Sequence, residues 1–253
     1  MGKGNSVWVV GQHAVSAVLQ VNPQRALNLY CVINPDNKEQ SAVLSLAQQH
    51  GIALHPVTKK ELSQRCDSQQ HQGLALQCQP RREGNEQELL ARLAALPVGR
   101  APLLLVLDQV QDPHNFGACL RSAAAADIDA VVVAKDNASP LTATVQKVAS
   151  GAAETVAIFR VTNLARTLTQ LQQHGVWLVG TSDRADSSLY DVDLTGPTAI
   201  VMGAEGKGLR QLTAKKCDTL VSLPMAAGVV SSLNVSVATG VCLFEAVRQR
   251  RTS

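Results

Sequence analysis

From residue 103 onward, short unbroken apolar runs alternate with segments of helical spacing. Leu103-Leu104-Leu105-Val106-Leu107 ends at Asp108, Ala130-Val131-Val132-Val133-Ala134 at Lys135, and Thr198-Ala199-Ile200-Val201-Met202 at Gly203. Strands that are apolar on both faces belong to parallel sheets covered by helices, because each parallel pairing requires a long crossover connection. Residues 156–159, 176–180 and 220–223 read as further strands. Helices are predicted over 115–126, 141–150, 164–174 and 233–250, with Gly151 stopping the second of them. The pattern predicts an α/β domain built on a parallel sheet.

The N-terminal third reads as a smaller αβ module. Residues 7–10, 27–33, 52–57 and 73–79 are strand-like, and 12–19, 38–50 and 58–65 have helical spacing. The polar stretch Gln79-Pro80-Arg81-Arg82-Glu83-Gly84-Asn85 contains both Pro and Gly, so it reads as a linker, followed by a short helix over 86–96. The expected division is residues 1–78, a linker at 79–100, and a second domain at 101–253. His13, His50, His55 and His71 have no metal-site spacing and read as solvated loop and helix-end residues.

Composition narrows the function only slightly. A formal net charge of +3 from 23 basic and 20 acidic residues is too small to identify a nucleic-acid partner, although Arg81-Arg82, Lys215-Lys216 and Arg248, Arg250 and Arg251 form local basic groups. Aromatic content of 3% argues against a platform that stacks bases. The six cysteines form no Cys-x-x-Cys pair and read as buried thiols of a reducing compartment. No apolar stretch approaches the ~20 residues of a membrane span, and the start lacks the apolar core of a signal peptide. Met1-Gly2-Lys3-Gly4-Asn5-Ser6 fits only the loose myristoylation pattern. A cytoplasmic protein without membrane contact is expected.

Three polar clusters follow apolar runs, where α/β folds place ligands. The first is Asn115-Phe116-Gly117-Ala118-Cys119-Leu120-Arg121. Asn115 is placed to cap a helix; Gly117 and Arg121, four apart, share a face on which Arg could grip phosphate. An ordinary cap and an ion pair for Arg121 would explain the same residues. The second cluster, Gly203-Ala204-Glu205-Gly206-Lys207-Gly208, is neither a dinucleotide fingerprint nor a P-loop, and Glu205 is its only carboxylate. The third runs from Leu223-Pro224-Met225 to Ser231-Ser232-Leu233-Asn234. A helix cap would account for one Ser there, leaving polar side chains for a ribose or phosphate.

In this order and spacing the clusters resemble the three motifs of the SpoU-type ribose 2′-O-methyltransferases of the SPOUT superfamily: Asn-x-Gly-x-x-x-Arg, Gly-x-Glu-Gly-x-Gly, and Pro-Met followed by Ser-Leu-Asn before a closing helix. Gln12-His13-Ala14-Val15, His71-Gln72-Gly73, Asp112-Pro113-His114-Asn115 and the ending Leu243-Phe244-Glu245-Ala246-Val247-Arg248-Gln249-Arg250 extend the likeness over nearly the whole chain, toward members that methylate a guanosine ribose in 23S ribosomal RNA. The resemblance implies a SPOUT domain with a deep C-terminal trefoil knot, an N-terminal RNA-binding domain of the L30e/L7Ae kind, and a homodimer with the knot at its interface. It implies S-adenosyl-L-methionine held near Val201, Gly203, Gly208, Leu223, Met225 and Leu233. The implied catalytic group is Arg121, Asn115, Glu205, Ser232 and Asn234, with no need for a metal. The stretch at 226–230 is a residue longer than the family's usual loop.

Because a guanidinium hardly deprotonates, Arg121 is expected to bind phosphate and stabilise the alkoxide, with Glu205 or the substrate phosphate accepting the proton. Three rivals compete with this reading. One is a tRNA ribose methyltransferase of the same family, and another is a non-catalytic RNA-binding ribosome-assembly factor. The third, a nicotinamide-dependent oxidoreductase, lacks the Gly-x-Gly-x-x-Gly that should follow a strand.

Overall fold

The computed structural model describes residues 6–226 and 232–252. In chain order the elements are β1 (Val7–Val10), α1 (Gln12–Val21), β2 (Ala26–Cys31), α2 (Lys38–Gln49), β3 (Ala53–Pro56), α3 (Lys59–Cys66), β4 (Leu74–Cys78), α4 (Glu86–Ala94), β5 (Leu103–Leu107) and α5 (Pro113–Ala125). They continue with β6 (Ala130–Ala134), α6 (Ala143–Ala149), α7 (Ala152–Thr155), β7 (Ile158–Val161), α8 (Leu164–Gln173), β8 (Trp177–Thr181), β9 (Ser187–Ser188), β10 (Thr198–Met202), α9 (Gln211–Ala214), β11 (Thr219–Ser222) and α10 (Val235–Thr252). Two compact units result, one of residues 1–82 with 141–155, the other of 83–140 with 156–253.

The first unit holds a four-stranded sheet in the order β1-β4-β2-β3, antiparallel except for the β2–β3 pair. Alternation along β4 explains its two cores: Leu74 and Leu76 pack with Val15, Val18 and Leu19 of α1 and Val43 and Ala47 of α2, while Ala75 faces Leu62 and Cys66 of α3. Thr58 and Glu61 form a capping box that fixes the start of α3. His71, expected to be solvated, is buried instead. Its Nδ1 accepts the Gly73 N–H at 3.0 Å and its Nε2 lies 3.1 Å from Ser63 Oγ, so it is a structural imidazole.

The helix predicted over 141–150 is shorter and ends at Ser150 (φ 50°) and Gly151 (φ 91°), after which α7 begins. A Cβ on Gly151 would lie 2.8 Å from Cβ of Ala17, so only glycine lets this turn rest on α1. Beside it Glu154 receives the guanidinium of Arg25, whose Nε and Nη2 also donate to the Gln79 carbonyl. Both charged residues are buried. Removing one partner strands the other charge, so Glu154→Ala should cost about 3–5 kcal/mol in urea unfolding, and a change under about 1 kcal/mol would mean the pair contributes little.

The second unit is the expected parallel sheet flanked by helices, in the order β7-β6-β5-β10-β8-β11-β9 with every pairing parallel. One face buries Leu104, Val106, Val132 and Val201 against Leu89 of α4 and Leu164, Leu168 and Leu171 of α8. On the helical layer formed by α5 and α10, α10 also reaches β10. The strand predicted at 156–159 begins at Ile158, where the ladder to Val131 of β6 starts. Residues 83–84, read as linker, are tied to this sheet: the Gly84 N–H donates to the Ile158 carbonyl, the Arg160 N–H donates to the Gly84 carbonyl, and Glu83 pairs with Arg160 at 2.7 Å. No helix among the described residues is long and apolar enough to cross a membrane.

Candidate active site at the strand ends

Asn115 does not cap α5. Asp112 does, its Oδ1 accepting the His114 N–H at 3.1 Å and its Oδ2 the Asn115 N–H at 3.3 Å, with Pro113 in the first turn where no donor is required. The Asn115 side chain is therefore free to act across the sheet, and its Nδ2 donates to Glu205 Oε2 at 2.8 Å.

Asn234 completes the arrangement. Its Oδ1 accepts the Ser236 N–H at 2.9 Å, capping α10, which starts at Val235 and not at 233. With the oxygen committed, its Nδ2 points the other way and donates to Asn115 Oδ1 at 2.9 Å and Glu205 Oε1 at 3.2 Å. One residue from each of the three clusters thus joins a closed ring of amide, carboxylate and amide. Each helix cap decides which way its neighbouring or own amide faces.

The loop that presents Glu205 depends on Gly203. Ala204 and Gly208 pair as a small antiparallel bridge, each N–H donating to the other's carbonyl, at 3.0 and 2.9 Å. A Cβ on Gly203 would lie 2.1 Å from the Gly208 carbonyl carbon and 2.3 Å from the Leu209 nitrogen, both backbone atoms that cannot rotate away. Gly206 and Gly208 take φ of 74° and 64°, closing the turn. The far end of the loop is anchored by Asp108, fully buried at the end of β5, which accepts the Arg210 N–H at 3.1 Å and Nε–H at 2.7 Å. This pair was missed in the sequence, where the available signal was a carboxylate directly after five apolar residues.

Between these loops lies a cavity of about 520 Å³, within the usual range for a small-molecule site. Gly203, Gly208, Leu223, Met225 and Leu233 line it, as do Glu205, Ser232 and Asn234. Val201, expected beside the cofactor, is instead fully buried in the core against α8, because alternation turns it to that face of β10. Thr181, Ser182, Asp183 and Arg184 also line the cavity; a polar run straight after the apolar residues 176–180 was their signal. The longer stretch at 226–230 falls, from Ala227 onward, outside the described residues, as does Ser231.

Arg121 stands apart from the ring. It is exposed on α5, does not line the cavity, and makes no hydrogen bond or ion pair among the described residues. The ion-pair explanation for it does not hold there. Cys119, one turn from Asn115, is no nucleophile: burial pushes its thiol up to about 11, and it lies 3.5 Å from Thr239 Oγ1 between α5 and α10.

The family described as SpoU rRNA Methylase matches residues 102–244, and RNA 2′-O ribose methyltransferase substrate binding matches residues 8–84. The chain is 50% identical over 96% of its length to the 23S rRNA (guanosine-2′-O-)-methyltransferase RlmB of Shewanella oneidensis, covering 98% of that protein. It is 52% identical to the protein of the same name from Vibrio cholerae, over 96% of each chain. A crystal structure of an RNA 2′-O ribose methyltransferase superposes with a TM-score of 0.81 at 27% identity, over 98% of this chain and 90% of that one. With both of its modules matched and the three motif loops meeting in one ring, the chain belongs to the SpoU rRNA Methylase family.

Proposed function

We propose that this chain methylates the ribose 2′-hydroxyl of a guanosine in 23S ribosomal RNA, using S-adenosylmethionine. The observation that supports it best is the Asn115–Glu205–Asn234 ring at the cavity, which gives the three motif loops one shared geometry. The half-identical relatives bear names for this reaction.

The cavity residues fit the cofactor. Leu223, Met225, Leu233 and Leu209 offer apolar wall for an adenine, and the glycine-rich turn exposes backbone where a Cβ on Gly206 or Gly208 would meet nothing within 4 Å. Bound there, S-adenosylmethionine supplies a methyl group already activated as a sulfonium. The protein has to align the hydroxyl, take up its proton and exclude water. Arg121 grips the phosphate next to the target ribose and stabilises the oxygen as it becomes an alkoxide. Glu205 or that phosphate accepts the proton, while Asn115 and Asn234 hold the Glu205 carboxylate in place. Ser232 contacts the ribose or the cofactor's carboxylate.

Residues 1–78 serve as the RNA-binding domain, with 141–155 packed in the same unit, 79–100 as the connection and the rest of 101–253 as the catalytic domain. The chain works as a cytoplasmic homodimer with a C-terminal trefoil knot. Support for the knot comes from the return of the chain from β11, beyond β8, to α10 against α5 and β10. Labelled methyl transfer should be measured on 23S ribosomal RNA and on tRNA, both unmodified, with the product mapped. One guanosine ribose of 23S RNA should carry the label. Label on tRNA alone, or on neither, would overturn the proposal.

A further inference from the structure

The largest cavity described in the first unit, about 730 Å³, is lined by no residue of the three motif clusters and takes no part in the mechanism above. Its lining has an unusual balance of charge and hydrogen-bonding capacity. Six amide side chains line it together with Lys59, Lys147, His13 and His71, and no carboxylate is among its described lining residues. No Phe, Tyr or Trp lines it either.

The amides are not interchangeable donors and acceptors. Asn34 Oδ1 accepts the Asp36 N–H, Asn37 Oδ1 the Gln40 N–H, and Gln72 Oε1 the Gln12 N–H, at 3.2, 3.0 and 3.1 Å. Gln70 Oε1 receives the Lys147 ammonium, and Gln69 Oε1 the Ser63 hydroxyl at 3.3 Å. In the first four the partner can only donate, which fixes the oxygen's position and leaves the –NH₂ group pointing elsewhere. None of these five –NH₂ groups donates to a described residue. Gln40 alone spends both ends inside the protein, on the Asn34 N–H and the Val32 carbonyl. The wall therefore presents N–H donors and two ammonium groups, with its amide oxygens already engaged. The start of α1 adds to this, since Gly11 (φ 93°) provides no side-chain cap and His13 and Ala14 line the same cavity.

A ligand that satisfies such a wall is anionic and rich in acceptors, and it is held mainly by its edges, since no Phe, Tyr or Trp is present to stack on. We infer that this cavity binds one unpaired nucleotide of the substrate RNA, its phosphate on Lys59 and Lys147 and the carbonyl and ring-nitrogen edge of its base on the free amides. The inference rests on the proposed RNA substrate. It adds a second point of recognition, distinct from the ribose that is methylated.

Nuclear magnetic resonance of the ¹⁵N-labelled full chain tests it independently of methyl transfer. The guanosine, cytidine and uridine 5′-monophosphates, whose bases carry carbonyls, should shift the side-chain amide signals of Asn34 and Gln69 saturably, and inorganic phosphate should not. Equal shifts with inorganic phosphate would reduce the site to an anion site and overturn the base contact; no shift with any nucleotide would overturn the whole inference. In steady-state methylation of 23S RNA, Lys59→Ala with Lys147→Ala, and separately Gln69→Ala with Gln70→Ala, should raise the KM for RNA by about tenfold, near the loss of one or two hydrogen bonds. Neither pair should alter kcat or the Kd for S-adenosylmethionine. An unchanged KM in both would also overturn the inference. If the protein proved not to methylate RNA at all, the nucleotide titration would still decide the cavity.

Discussion

Arg121→Ala should reduce methyl transfer by about 100- to 1000-fold, the usual loss when one preorganised charge-stabilising donor is removed. The Kd for S-adenosylmethionine should stay within about twofold, since Arg121 does not line the cavity. Stability should change by less than about 0.5 kcal/mol, because the residue is exposed and makes no described bond. Arg121→Lys should recover only part of the activity: an ammonium supplies charge but not the planar fork that grips phosphate at two points. Isothermal calorimetry with the cofactor and a single-turnover methylation assay separate the outcomes. A variant that loses cofactor affinity in step with activity would remove Arg121 from the role of phosphate grip.

Gly203→Ala is expected to damage both binding and chemistry. The added methyl would overlap the backbone at Gly208 and Leu209, so the loop between β10 and α9 must open, and Glu205 moves with it. Displacing a positioned group by about 1 Å costs on the order of 100-fold in rate, and the cavity wall is disturbed at the same time. Calorimetry should show weakened cofactor binding, and methyl transfer should fall by at least that factor. Gly196→Ala is the matching control, because a Cβ there meets nothing within 4 Å. If Gly203→Ala bound S-adenosylmethionine within about threefold of the parent chain, the tight bridge between Ala204 and Gly208 would not be what shapes the site.

The strands of the second unit could be read from the sequence because both their faces are buried. The unbroken apolar run 103–107 and the run 199–202 that follows Thr198 leave little alternative, and the strands span 103–107 and 198–202. Edges were less legible. Nothing local distinguishes 83–84 from a linker until Phe159 and Arg160 lie alongside, and the short strand Ser187–Ser188 has no apolar signature at all. Asp112 and Asn115 show the same limit within a single turn. Both residue types can cap a helix, and the choice follows from where the chain enters α5.

The sequence by itself determined the parallel sheet, the polar loops at its strand ends, and the residue types that those loops bring. Burial and chain connectivity set these, and both are written in the order of apolar and polar residues. Tertiary structure alone decided that Asn115, Glu205 and Asn234 meet in one hydrogen-bonded ring, that Val201 belongs to the core and not the cavity, and that His71 is buried. It also decided which end of Asn34, Asn37, Gln70 and Gln72 in the N-terminal cavity remains free. These depend on directions: which way an amide faces once its oxygen is taken, and which side of a strand a residue occupies. A hydrogen bond is directional over a few ångströms, and residues 90 or 119 positions apart come within that distance only after the sheet has formed.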